Sequence, residues 1–170
     1  AFGLKEVVMT SMQAVSGAGR SPGVAALDIA DNVIPFISGE EEKVEKETQK
    51  ILGKKINVSC TCTRVPVLEG HTESVYARFE RNPTPEQAAK VLENFKTKTK
   101  THSTPSQLIK VFSDPSRPQP RLDRDTGNGL TTCVGRLRSD SVLGLKYVLL
   151  SHNTKMGAAA GAVWLAELLE

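Results

Sequence analysis

The sequence predicts an α+β domain: a mixed, largely antiparallel sheet with helices packed on one face. Two observations carry this. Ile56, Val58, Cys60 and Cys62 alternate with Asn57, Ser59, Thr61 and Thr63, the period of a half-buried strand. Thr84-Pro85-Glu86-Gln87 then gives an N-cap, a proline at the first helical position and a glutamine to close the cap, followed by the apolar stripe Ala88, Val91, Leu92 and Phe95. A chain of 170 residues, 39% apolar and 24% charged, is sized and composed as one ordinary domain, spanning residues 1–170.

The remaining elements follow in order. Residues 6–15 are rich in β-branched and apolar side chains and run into Ser16-Gly17-Ala18-Gly19, a strand entering a glycine loop. Ser38-Gly39-Glu40-Glu41 has the spacing of a capping box, and Val44, Thr48, Ile51 and Leu52 recur on one face until Gly53, predicting a helix over 39–52. Residues 74–80 form another strand, separated from the first pattern by a loop over 66–71. From Ser113 to Gly129 the chain is rich in Pro, Asp, Arg and Gly without apolar period, an exposed connection that either meets a partner or is only a linker. Strands over 131–137 and 142–150 precede Asn153-Thr154 and a small-residue helix through Trp164 to Leu169.

Composition excludes several classes of function. The net charge of +3 arises from interspersed signs, and the eight aromatics do not alternate with basic residues, so nucleic acid is not an expected partner. The apolar stretch 156–169 is too short to span a bilayer, and the N-terminus carries no signal core. An odd count of three cysteines, two of them one residue apart in a strand, fits a reducing compartment and a cytoplasmic protein. No Cys/His spacing suits a metal, so none is expected. The opening at Ala1 reads as mid-fold, as in a fragment of a longer protein.

Gly17-x-Gly19 falls short of a dinucleotide fingerprint because Pro22 stands where the third glycine belongs; the loop either brings backbone amides to a flat ligand or is a plain turn. Arg64 ends the apolar row of its strand and is expected in a solvent-facing cleft, as a bidentate carboxylate clamp or as an edge arginine paired with a surface acid. His71 follows Glu69-Gly70 in a loop, where an imidazole near neutrality could act as a general base, although His102 and His152 are alternatives and most exposed histidines are only exposed. Glu40 and Lys43 share one side of a helical first turn, either for a zwitterionic or phosphorylated ligand or as part of a solvated Glu/Lys face.

The segments TSMQAVSGAG, EEEKVEKETQKILG, TRVPVLEGH and SHNTKMGAAAGAV together resemble the C-terminal half of aspartate-semialdehyde dehydrogenases, nearest in texture to the archaeal and fungal branch. The likeness covers nearly the whole chain and includes Glu-x-x-Lys and an Arg followed seven residues later by His. It implies the fold of the C-terminal domain of glyceraldehyde-3-phosphate-dehydrogenase-type enzymes. By the resemblance Gln13 lies near the reacting carbonyl, Glu40 receives the substrate amino group, Lys43 helps hold phosphate, Arg64 clamps the substrate carboxylate and His71 is the acid/base. Ser16 and Gly17 lie near the nicotinamide, and Asn153 and Gly157 begin the helix that completes the cofactor site.

The implied reaction is reductive dephosphorylation of aspartyl phosphate to aspartate-β-semialdehyde with NADPH, through a thiohemiacetal and an acyl thioester on a cysteine, in the route to lysine, threonine and methionine. By the same resemblance that cysteine and the Rossmann NADP-binding half precede this segment, so the isolated chain is expected to be inactive and to retain mainly a subunit contact, as a homodimer or tetramer. Two rivals stand beside it: a related acylating dehydrogenase such as N-acetyl-glutamyl-phosphate reductase or a glyceraldehyde-phosphate type, against which Glu40 and Arg64 argue, and a dimerisation or scaffold module without catalysis.

Overall fold

The computed structural model describes residues 1–20, 23–98 and 100–169. The described residues include six strands: β1 (Leu4–Gln13), β2 (Asn57–Arg64), whose apolar and polar residues alternate, β3 (His71–Phe79), β4 (Ile109–Phe112), β5 (Thr132–Asp140) and β6 (Gly144–Ser151). They form one sheet in the order β2-β1-β3-β6-β5-β4. The terminal pairs β1/β2 and β4/β5 are parallel, and the three inner pairings are antiparallel, giving the expected mixed, largely antiparallel sheet.

Register decides which side chains share a face, because residues opposite one another on a ladder point the same way. Val7 lies beside Val58 and Ala77, and Ala77 beside Leu145; Met9 lies beside Cys60 and Val75, and Val75 beside Tyr147. This face holds the core, centred on Val7, Ile56 and Val75. The opposite face of β1 and β2 presents Val8, Thr10, Ser59 and Thr61 to solvent.

Among the described residues, five α-helices accompany the sheet: α1 (Ala26–Ile29), α2 (Glu40–Leu52), α3 (Pro85–Glu93), α4 (Pro120–Asp123) and α5 (Gly161–Glu167), the last continuing a π-helical segment, Lys155–Ala160. The α3 N-terminus forms as the sequence requires: Gln87 N–H donates to the Thr84 hydroxyl while the Gln87 side chain accepts from Thr84 N–H. Its Ala88, Val91 and Leu92 line one pocket with Phe79, Leu145 and Tyr147, and the helix packs beside β4 and β5.

Several expectations are corrected. The α2 N-cap is Gly39 at φ 71°, with no side-chain cap from Ser38, because the left-handed backbone at Gly39 starts the helix without one. The predicted apolar face of α2 is not a core face either, since Ile51 is 80% exposed. The first strand ends at Gln13 rather than at residue 15, because Val15–Ala18 tightens into a 3-10 turn. Strand β4 was not anticipated; four residues, IKVF, are too few to display a period. Residues 113–129 are not wholly an exposed connection: α4 forms there, and Asp123 is buried where it pairs with Arg117 and accepts from Gln119 N–H.

A charged cluster at one end of the sheet

Four strand ends converge at one end of the sheet. Parallel pairing puts Gln13, last in β1, beside Arg64, last in β2. Antiparallel pairing puts His71, first in β3, beside Ser151, last in β6, so that His152 and Asn153 follow at the same end. His71 is therefore not a loop residue: the ladder with β6 begins at it.

Arg64 does not reach into solvent as expected but is 5% exposed. Its Nη1 donates to the Ala14 carbonyl at 2.8 Å and, more weakly, to Gln13 Oε1 at 3.5 Å, bonds that draw the guanidinium under the β1 terminus. Burial lowers the Arg64 pKa from its ordinary value, and the nearby Glu40 carboxylate opposes that shift. Ala14 also donates its N–H to His71 Nδ1 at 3.1 Å. One backbone residue thus orients both side chains.

The near-neutral imidazole anticipated for His71 is likewise corrected: its pKa is lowered from 6.5 to about 4, first by burial and then by the Arg64 charge, with Glu40 acting in the opposite sense. The neutral ring accepts from Ala14 at Nδ1, so its proton resides on Nε2. Gly17 packs on this pair; a Cβ there would lie 2.9 Å from Arg64 Nη1 and 2.9 Å from His71 Cε1. The glycine in the loop serves close approach rather than backbone freedom.

Glu40 joins the cluster electrostatically through Arg64 and His71, while its carboxylate bonds Lys43 Nζ at 3.3 Å. Lys43 is 54% exposed and stands at the solvent side of that pair. Asn153 is tied in by its amide: Nδ2 donates to Ser16 Oγ at 2.9 Å and Oδ1 accepts Gly70 N–H at 2.9 Å. Gly157 stands apart, with open space where a Cβ would be. Beneath Asn153 the buried His152 turns Nε2 toward Glu69 at 3.5 Å and Asp125 at 3.7 Å. Ala14 escaped sequence reasoning because it acts only through its backbone. His152, one of the two alternative histidines, is buried rather than exposed.

The three thiols are free and buried, and burial raises the pKa of each. Cys60 and Cys62 hold their Sγ atoms 3.3 Å apart on the core face. Among the described residues, no group of three or more His, Cys, Asp or Glu is placed to hold a metal ion, and no helix is long and apolar enough to cross a membrane.

Fold and cluster define an α+β domain with an arginine, a neutral histidine, a glutamine and a glutamate gathered at one sheet end. Residues 1–156 match the family described as "Semialdehyde dehydrogenase, dimerisation domain". The chain is 50% identical to an aspartate-semialdehyde dehydrogenase of Archaeoglobus fulgidus, over 99% of this chain and 51% of that protein, and 47% identical to one of Candida albicans, over 95% and 49%. A crystal structure of the Candida albicans aspartate semialdehyde dehydrogenase with NADP superposes with a TM-score of 0.86 at 42% identity, covering 98% of this chain and 50% of that one. An aspartate semialdehyde dehydrogenase II of Vibrio cholerae complexed with ASA gives 0.81 at 30% identity, covering 99% and 55%. The chain belongs to the semialdehyde dehydrogenase dimerisation-domain family. It spans about half the length of the curated relatives it matches.

Proposed function

We propose that this chain is the substrate-binding and dimerising half of an aspartate-semialdehyde dehydrogenase, a cytoplasmic enzyme of lysine, threonine and methionine biosynthesis. The reaction is the NADPH-dependent reduction of aspartyl phosphate to aspartate-β-semialdehyde with release of phosphate. The nucleophilic cysteine and the dinucleotide cradle belong to a preceding segment; the buried Cys60, Cys62 and Cys133, with raised pKa values, are unsuited to that role. The supporting observation is the packing of Gly17 against Arg64 and His71, which sets a cation and a neutral N–H donor side by side.

In this proposal Arg64 pairs with the substrate α-carboxylate, and Glu40 receives the amino group, so the amino acid end is fixed by opposite charges. Lys43, exposed next to Glu40, balances the phosphate. Gln13 lies at the reacting carbonyl. His71 presents Nε2–H to the oxygen that gains charge as the nucleophile adds, and can pass its proton there. Ser16, Gly17, Asn153 and Gly157 fit the nicotinamide end of NADP: Asn153 holds Ser16 in place, and Gly157 leaves open space. The cofactor supplies the hydride when bound. The open sheet face bearing Val8, Thr10, Ser59 and Thr61 pairs with a second copy, as homodimer or tetramer.

Calorimetric titration of the chain with a non-reactive analogue of aspartate-β-semialdehyde tests the assignment. Binding that Arg64→Ala abolishes is the expected outcome. Binding of equal strength in that variant would refute the clamp.

A further inference from the structure

Helix α2 carries Glu40 and Lys43, yet none of its residues is buried, so apolar packing does not fix how it sits. Its inward side holds two carboxylates one turn apart. Glu41 Oε1 accepts Cys62 N–H at 2.9 Å, and Glu45 Oε1 accepts Cys60 N–H at 3.3 Å. These amides belong to β2, which ends the sheet and turns alternate N–H groups away from β1. The next outward amide, of Arg64, is taken by the Ile34 carbonyl at 2.9 Å.

The spacing explains why a helix can do this. Residues i and i+4 rise about 6 Å along a helix, and residues i and i+2 advance roughly 6.6 Å along a strand. A Glu-x-x-x-Glu pair therefore matches alternate amides of an antiparallel-running edge strand. One helical turn of slippage would leave one carboxylate or one half-buried amide without its partner.

We propose that Glu41 and Glu45 are positioning residues, which lock α2 in register on the β2 edge and so hold Glu40, with Lys43 paired to it, toward Arg64. The part concerning substrate rests on the function proposed above. Glu41 adjoins Glu40, and the carboxylate of Glu40 already acts on Arg64 and His71. The lock needs an acceptor oxygen rather than a charge, so glutamine replaces either glutamate and alanine does not.

Amide exchange followed by NMR on this chain tests the lock. Glu41→Ala accelerates exchange at Cys62 at least tenfold, Glu45→Ala does the same at Cys60, and Thr61 N–H, bound to β1, keeps its protection. The Arg64 Nε–H and His71 Cε1–H resonances move in Glu41→Ala and return in Glu41→Gln. In the longer enzyme Glu41→Ala raises KM for aspartate-β-semialdehyde several-fold and leaves kcat within twofold, with rescue by Glu41→Gln. Unchanged exchange at Cys62 in Glu41→Ala would overturn the lock. Lost protection with unmoved Arg64 and His71 resonances would overturn the positioning role, leaving an edge cover only. A wild-type longer enzyme without turnover would sink the proposed function alone, because the exchange and resonance measurements use no substrate. Should Glu41→Ala fail to fold, Glu45→Ala with the Glu45→Gln rescue decides the lock from Cys60.

Discussion

Acidification is predicted to weaken the fold through His71 before it weakens it through the carboxylates. The His71 pKa is lowered from 6.5 to about 4 by burial and by the Arg64 charge. Between those values the unfolded chain binds a proton that the folded chain refuses, so stability is complete above pH 6.5 and falls as pH drops toward 4. At 1.36 kcal/mol per unit, the whole interval is worth about 3 kcal/mol, of which about 2 are lost between pH 7 and pH 5. Carboxyls held low, such as Asp123 beside Arg117, add losses mainly below about pH 4.5, whereas Glu73, raised by burial, acts in the opposite sense. Urea unfolding of wild type and His71→Gln at both pH values isolates the imidazole, since glutamine can accept the Ala14 N–H without titrating. The wild type should lose about 2 kcal/mol more than the variant over this range. Equal losses would refute the account, as would a histidine resonance assigned to His71 that titrates at 6 or above.

Two further predictions are independent of pH. Gly17→Ala puts a Cβ 2.9 Å from Arg64 Nη1, and crowding of this kind costs about 1–3 kcal/mol; a lower melting temperature and at least tenfold weaker binding of a carboxylate analogue are expected, and wild-type affinity would contradict the packing. The three thiols, buried and with raised pKa values, should resist a thiol-specific chromophoric reagent in the native chain and react fully in denaturant, so prompt native reaction of Cys60 or Cys62 would contradict their burial.

How much was legible in the sequence varied with how local the cause was. The α3 start could be read because Thr84 and Gln87 satisfy each other within four residues. Strand β2 could be read because its period is internal. The face of Arg64 followed from parity, but its depth did not, because the Ala14 carbonyl that binds it comes from 50 positions earlier. The side of α2 that meets the sheet was hidden for a physical reason: its contacts are carboxylates on strand amides, and their pattern looks like a solvated helix. His71 was identified as a candidate, while its displaced pKa required the neighbouring guanidinium and the covering loop.

The strand order also bears on how fast this domain acquires its charged cluster. His71 and Ser151 pair although 80 positions separate them, and Gln13 and Arg64 pair across 51. Pairings of such long range close late and slowly, because chain entropy is spent before contacts accumulate. An intermediate in which only the β5–β6 hairpin and α3 have formed holds none of the Gln13–Arg64–His71 arrangement. During refolding, ligand affinity should therefore return with the slowest phase, after helical content has recovered.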